Sequence, residues 1–207
     1  MTDATSRSKP RRAEPAEDRE ARDSVDVMLE QWRRERPDLD LSPLGVIGRI
    51  SRVARHFELS IEERLANYGL NMPAFYVLAA LRRSGHPYQL SPTKLYNSLL
   101  ISSGAMTNRI DRLEAAGLVR RVPDPSDGRA VLVGLTLKGR RLIDFAIQGH
   151  NENERSLLSR LTAQEADELA ALLRRLLMSA EARDQESLRK GPRATADEIA
   201  AVSRSLD

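Results

Sequence analysis

At Gly117 the hydrophobic pattern of this chain changes period, and that change limits what the chain can fold into. Upstream, in "SSGAMTNRIDRLEAAG", Met106, Ile110 and Leu113 recur at helical spacing, while Thr107, Asn108, Arg109 and Arg112 fall mostly on other faces. Downstream, "LVRRV" and "AVLVGL" alternate in strand fashion around "PDPSDGR", a hairpin turn signal. Gly117 sits where a helix of this kind stops. Small polar residues, an amphipathic helix and then a hairpin make an unusual catalytic loop and a natural gripping surface.

The rest of the chain supplies helices. Val25, Met28, Leu29 and Trp32 recur at helical spacing over 22–36, and their apolar stripe needs a partner to cover it. Ser42-Pro43 reads as an N-cap followed by proline at the first helical position. It opens a long helix over 42–68 with Ile47, Ile50, Val53, Ala54, Phe57, Ile61 and Leu65 on one face, ended by Gly69. "NMPAFYVLAALRRSG" predicts a helix capped near Asn71 or Met72, apolar around most of its circumference and therefore central. Ser91-Pro92 opens a short third helix. After the hairpin the chain is helical again from 136 to about 161, and Thr162 with Glu165 forms a capping box for a last helix carrying Leu169, Leu172, Leu173, Leu176 and Leu177.

A short helix and tight turn feeding a second helix is a helix-turn-helix, and a hairpin directly after it makes a wing. The fold class expected is mainly α: a winged helix-turn-helix with a two-stranded β-wing and long N- and C-terminal helices. The domain plan is a flexible arm over 1–20, one domain over 21–182 with its winged core at 71–135 between flanking helices 42–68 and 136–182, and a polar tail over 183–207.

Composition removes other classes. There is no cysteine, and His56, His86 and His150 are scattered without ligand spacing, so neither a disulfide framework nor a zinc site is expected, nor any other cofactor. No apolar run approaches the roughly 20 residues of a membrane span, and the N-terminus lacks the apolar core of a signal peptide; a cytoplasmic protein is expected. Glu62 and Glu63 lie on polar helical faces, and His150 sits in "GHNENE" with no nucleophile near in sequence, so catalysis is not expected. The net charge is only +3 with 30% charged residues, so any polyanion site has to be local. Lysine occurs only at 9, 94, 138 and 190, leaving nearly all positive charge as guanidinium, which suits phosphates and base edges.

"LISSGAMTNRIDRLEAAGLVRRVPDPSDGRAVLVGLTLKGRRLI" resembles the DNA-binding core of the multiple-antibiotic-resistance regulator (MarR) family, including Asp127 and Arg129 at the wing tip and Leu135, Thr136 and Gly139 opening the next helix. The similarity runs from about Leu41 to Met178. It implies a homodimer built from the terminal helices, each subunit presenting a recognition helix and a wing to half of a palindromic operator, and acting as a ligand-responsive repressor. A DNA-architectural or activator protein with no effector is the alternative. By position, Ser102, Ser103, Thr107, Asn108, Arg109 and Arg112 are candidates for base or phosphate contact, and Thr93 and Lys94 for backbone contact. Asp127 would orient Arg129 into a narrow minor groove, unless it only forms the turn. Arg112 could instead be a solvated charge paired with Asp111 or Glu114.

The N-terminal helix is similar to that of a urate-responsive branch of the family, which implies a ligand cleft walled by Trp32 and Arg109; Trp32 could equally just anchor its helix. Where that branch looks to carry an aspartate, this chain has Tyr76, whose phenol, with a pKa of about 10, is neutral and cannot supply repulsion toward an anionic ligand. The effector expected is therefore a different small aromatic or phenolic anion, paired with Arg109 and stacked near Tyr76. Deleting residues 1–20 should leave operator affinity within a few-fold, because that arm has no apolar face to dock. Deleting through Pro37 should lower the melting temperature; equal melting temperatures for the two truncations would refute a docked helix.

Overall fold

The computed structural model describes residues 22–99 and 103–190, without the side chains of 103, 104, 128, 129 and 187–190. The expected arm over 1–20 and the end of the expected tail, 191–207, lie outside the described residues. Among the described residues seven helices and three strands follow in the order α1 (Ser24–Glu35), α2 (Ser42–Ala66), α3 (Met72–Arg83), β1 (Gln89–Leu90), α4 (Pro92–Leu99), α5 (Ser103–Ala115), β2 (Val119–Asp124), β3 (Asp127–Leu135), α6 (Leu137–Leu157) and α7 (Ala163–Lys190). The chain divides into two compact units, the first reaching Ile143 and the second beginning at Asp144.

The first unit is built around α3. Phe75, Val77, Leu78, Ala80 and Leu81 are buried there, and Asn71 caps the helix by accepting from the Ala74 amide at 2.9 Å. Around it stand Leu65, Leu95, Met106, Ile110, Leu113 and Val133, all nearly inaccessible. The short helix α4 starts as its sequence suggests, with the Lys94 amide donating to Ser91 Oγ at 3.2 Å.

The helix before Gly117 closes with a Schellman turn. Gly117 takes φ of 69°, which is strained for any residue bearing a Cβ, and the Leu118 amide donates back to the Leu113 carbonyl at 2.9 Å. Lys138 Nζ donates to the Ala116 carbonyl at 2.9 Å, placing a cation at the negative end of α5.

Four expectations need correction. The β2–β3 hairpin is two-stranded as expected, but its base belongs to a three-stranded antiparallel sheet in the order β1-β3-β2, because Gln89 and Leu90 pair with Gly134 and Val133. A two-residue strand is too short to leave a period in the sequence. Ser42 is not the N-cap of α2: the cap is Leu41, with no side-chain cap bond, and Asp40 accepts from the Ser42 amide and hydroxyl, each at 3.0 Å. The polar segment after 182 is not all tail, since α7 continues to Lys190; exposed polar residues on a helix erase the amphipathic signal that marks its end. Trp32 does not anchor α1 by burial, being 47% exposed, whereas Val25 and Leu29 are buried.

Contacts to α2 hold α1. A Cβ at Gly48 would meet Val25 Cγ1 at 3.3 Å, so the small residue makes room for α1. Asp23 and Asp26 form a capping box at the start of α1, and Arg49 of α2 donates to both, at 2.8 and 2.6 Å. Each carboxyl is held below its usual range, first by the other residue's backbone amide and further by Arg49. The capping box expected at Thr162 and Glu165 is present at the start of α7.

Gly139 fixes how α6 leaves the wing. A Cβ there would lie 1.9 Å from the Leu118 carbonyl oxygen, far closer than a carbon and an oxygen that are not bonded can approach. Gly139→Ala should therefore destabilise the protein by about 1–3 kcal/mol or more, since the obstacle is backbone rather than a flexible side chain. Thermal unfolding checks this; an unchanged melting temperature would mean that the junction yields freely.

Candidate nucleic-acid interface

The candidate interface is assembled from α4, α5 and the β2–β3 hairpin. Burial of Met106, Ile110 and Leu113 turns one side of α5 to the core, which leaves Thr107, Asn108 and Arg112 exposed and Arg109 half-buried. Thr93 and Lys94 are exposed in the first turn of α4. Ser102 lies outside the described residues, as does the side chain of Ser103, whose backbone opens α5.

The wing turns at Pro125 and Ser126. Asp124 does the local work, accepting from the Ser126 amide at 2.8 Å and its hydroxyl at 2.6 Å. Those Ser126 contacts, with a smaller contribution from Lys94, lower the Asp124 pKa. Asp127 and Arg129 both lie at the start of β3; the side chain of Arg129 is outside the described residues.

The two flanks of α5 differ in charge. On one, Asn108, Arg109 and Arg112 line a cleft of about 560 Å³ shared with Asn71, Pro73 and Ala74 at the start of α3. On the other, Asp111 and Glu114 both bind Arg121 of β2, with Asp111 Oδ1 at 2.5 Å from its Nη2. These bonds raise the already high pKa of Arg121, that to Asp111 most. The carboxylates that might have paired with Arg112 are thus engaged elsewhere, and among the described residues Arg112 and Arg109 form no ion pair. Trp32 and Tyr76 are not among the residues lining the cleft that holds Arg109; Tyr76 is 38% exposed and meets Phe75 edge to face at 5.9 Å.

Sequence reasoning missed Arg121 and Lys138. The signal for Arg121 was there: Asp111 and Glu114 at i,i+3 share a helix face, and a strand bearing two arginines follows within a few residues. Among the described residues no group of His, Asp and Glu side chains is placed to hold a metal, and no helix is long and apolar enough to cross a membrane.

A helix-turn-helix with an exposed polar second helix, followed by a hairpin and sheet, defines a winged-helix DNA-binding protein. Comparison with known proteins makes the class specific. The model of the MarR family matches residues 68–130. The transcriptional regulator PecS of Dickeya dadantii is 43% identical over 152 residues, covering 73% of this chain and 92% of PecS. A mutant of Escherichia coli MarR solved in complex with operator DNA is 31% identical, with a TM-score of 0.58, covering 66% of this chain and 95% of that one. BpsR of Bordetella bronchiseptica, whose DNA binding is regulated by 6-hydroxynicotinic acid, is 27% identical with a TM-score of 0.56, covering 63% of this chain and 91% of its own. The chain belongs to the MarR family of winged helix-turn-helix transcriptional regulators; it is a DNA-binding regulator and not an enzyme.

Proposed function

We propose that this protein is a homodimeric, ligand-responsive repressor that binds a palindromic operator near its own gene. Ser102, Ser103, Thr107, Asn108, Arg109 and Arg112 read the major groove or its phosphates, Thr93 and Lys94 hold the backbone, and Asp127 and Arg129 serve a minor groove. The observation that carries this reading is the charge division of α5, whose acidic side chains are bound by Arg121 while Arg112 has no carboxylate partner among the described residues. A free guanidinium beside Asn108 on an exposed helix face suits a guanine or phosphate contact. The dimer reading is supported by Leu169, Leu172, Leu173, Leu176 and Leu177 of α7, all at least 40% exposed and spaced along one helix, as a surface covered by a second copy would be.

The effector in this reading is a small aromatic or phenolic anion that pairs with Arg109. The cleft at Arg109 has a volume in the range of small-molecule sites and brings together two guanidiniums and two asparagines beside apolar residues. BpsR, a structural relative, is regulated by an aromatic acid. Because Arg109 belongs to both the cleft and the recognition helix, an anion bound there competes with DNA for its charge. Trp32 and Tyr76 contribute only if the ligand extends beyond the cleft lining.

Binding should be specific for the operator and should weaken by orders of magnitude between roughly 50 and 200 mM salt, as expected for several phosphate contacts. Arg129→Ala should cost about 1–3 kcal/mol if the wing reaches a base edge. A gel-shift or anisotropy series checks both; a flat salt response refutes the phosphate contacts, and an unchanged affinity for Arg129→Ala refutes an engaged wing.

Titrating the protein–operator complex with urate and a panel of aromatic acids tests the effector. Release is expected with an aromatic or phenolic acid and not with urate at low micromolar levels, and Arg109→Ala should remove the response. Release by urate at those levels, or a response that survives Arg109→Ala, would overturn the assignment.

A further inference from the structure

Arg121 occupies a particular rung of the sheet. It pairs with Val133, and Val133 pairs on its other side with Leu90, the last residue of β1. Beyond that rung only β2 and β3 continue, through Val122 with Leu132 and Pro123 with Val131, to the turn between Asp124 and Asp127. The distal wing is thus a two-stranded ribbon, an element with little stability or fixed direction of its own. Its aim depends on what holds its base.

Both the backbone and the side chain of Arg121 are bound to α5. The backbone amide donates to Glu114 Oε1 at 2.9 Å, Nη1 donates to Glu114 Oε2, and Nη2 donates to Asp111 Oδ1 at 2.5 Å. Asp111 and Glu114 lie three residues apart on one helix face, and the planar fork takes them on two separate nitrogens, a geometry that the single nitrogen of a lysine does not reproduce. These carboxylates are on the flank opposite the cleft residues Arg109 and Arg112, and in an interface for a polyanion they have no evident use of their own.

We propose that Arg121 is a positioning residue for operator recognition: its bonds to Asp111 and Glu114 fix the wing ribbon against the recognition helix, so that wing tip and α5 meet one duplex in a set register. It does so without touching DNA. The inference rests on the reading of α5 and the wing as the DNA-contacting elements.

The test has a counterintuitive arm. The double variant Asp111→Asn/Glu114→Gln removes two negative charges from the proposed DNA-binding surface, yet it should weaken operator binding by roughly three- to thirty-fold, an effect within the span of coupling energies between groups in one network. If Arg121 contacted phosphate directly, or had no role, the same variant would bind as well as the wild type or better, and the proposal would fall. Arg121→Lys keeps the charge but loses the fork and should bind as weakly as Arg121→Gln; wild-type affinity for Arg121→Lys overturns the proposal. Arg121→Gln and Arg129→Ala should be less than additive, because a wing already misaligned has little left to lose; additive effects count against it. A lower melting temperature with unchanged operator affinity would show a purely structural role, and would likewise sink it. Arg112→Ala in the same series separates the two readings: if it has no effect, α5 is not the DNA-contacting helix, whereas a loss there with wild-type binding by the Arg121 variants removes only the positioning role.

Discussion

The carbonyl group of Leu118 is the point on which the DNA-binding unit depends. It accepts from the Thr136 amide at 3.1 Å and from the Thr136 hydroxyl at 3.2 Å, directly after the Schellman turn that ends α5. Gly139 passes so close that no side chain fits between. One peptide unit therefore joins the end of α5, the start of β2, the end of β3 and the start of α6. Residues from Gly117 to Gly139 form a closed loop of structure, and the hairpin between them can only project outward.

From that junction the charge arrangement follows. α5 ends at Gly117 with its apolar side toward α3, so its polar residues divide between two flanks. The flank facing β2 carries Asp111 and Glu114, and a strand beginning at Val119 brings Arg121 to them. The flank facing the start of α3 keeps Arg109 and Arg112, which have no carboxylate partners among the described residues. A chain with a net charge of only +3 thereby exposes local positive charge where the acidic residues are already bound. The same economy holds α1, where Arg49 serves two capping carboxylates at once. These pairs are exposed, so their contribution is more to geometry than to stability.

Much of this was legible in the sequence because local rules act over three or four residues. Asn71, Ser91 and the Thr162–Glu165 pair mark helix starts where they are found, and Met106, Ile110 and Leu113 announce which side of α5 is buried. That periodicity also places Thr107, Asn108 and Arg112 outward. What escaped was either too short or too distant. β1 is two residues long, Asp40 displaced Ser42 at the start of α2 by bonding to it, and Trp32, the largest member of its stripe, stayed half exposed.

The sequence by itself determined the order of the helices and the hairpin, the stops at Gly69, Gly85 and Gly117, and the outward face of α5, because period, capping and turn chemistry are set by near neighbours along the chain. Only the tertiary structure decided the partners: that Arg121 rather than Arg112 takes Asp111 and Glu114, that Arg109 shares a cleft with Asn71, and that Gln89 and Leu90 complete the wing sheet. Each joins residues brought together by the packing of separate elements. An ion pair or a strand rung depends on where backbones meet in space, and neither spacing nor composition encodes that distance.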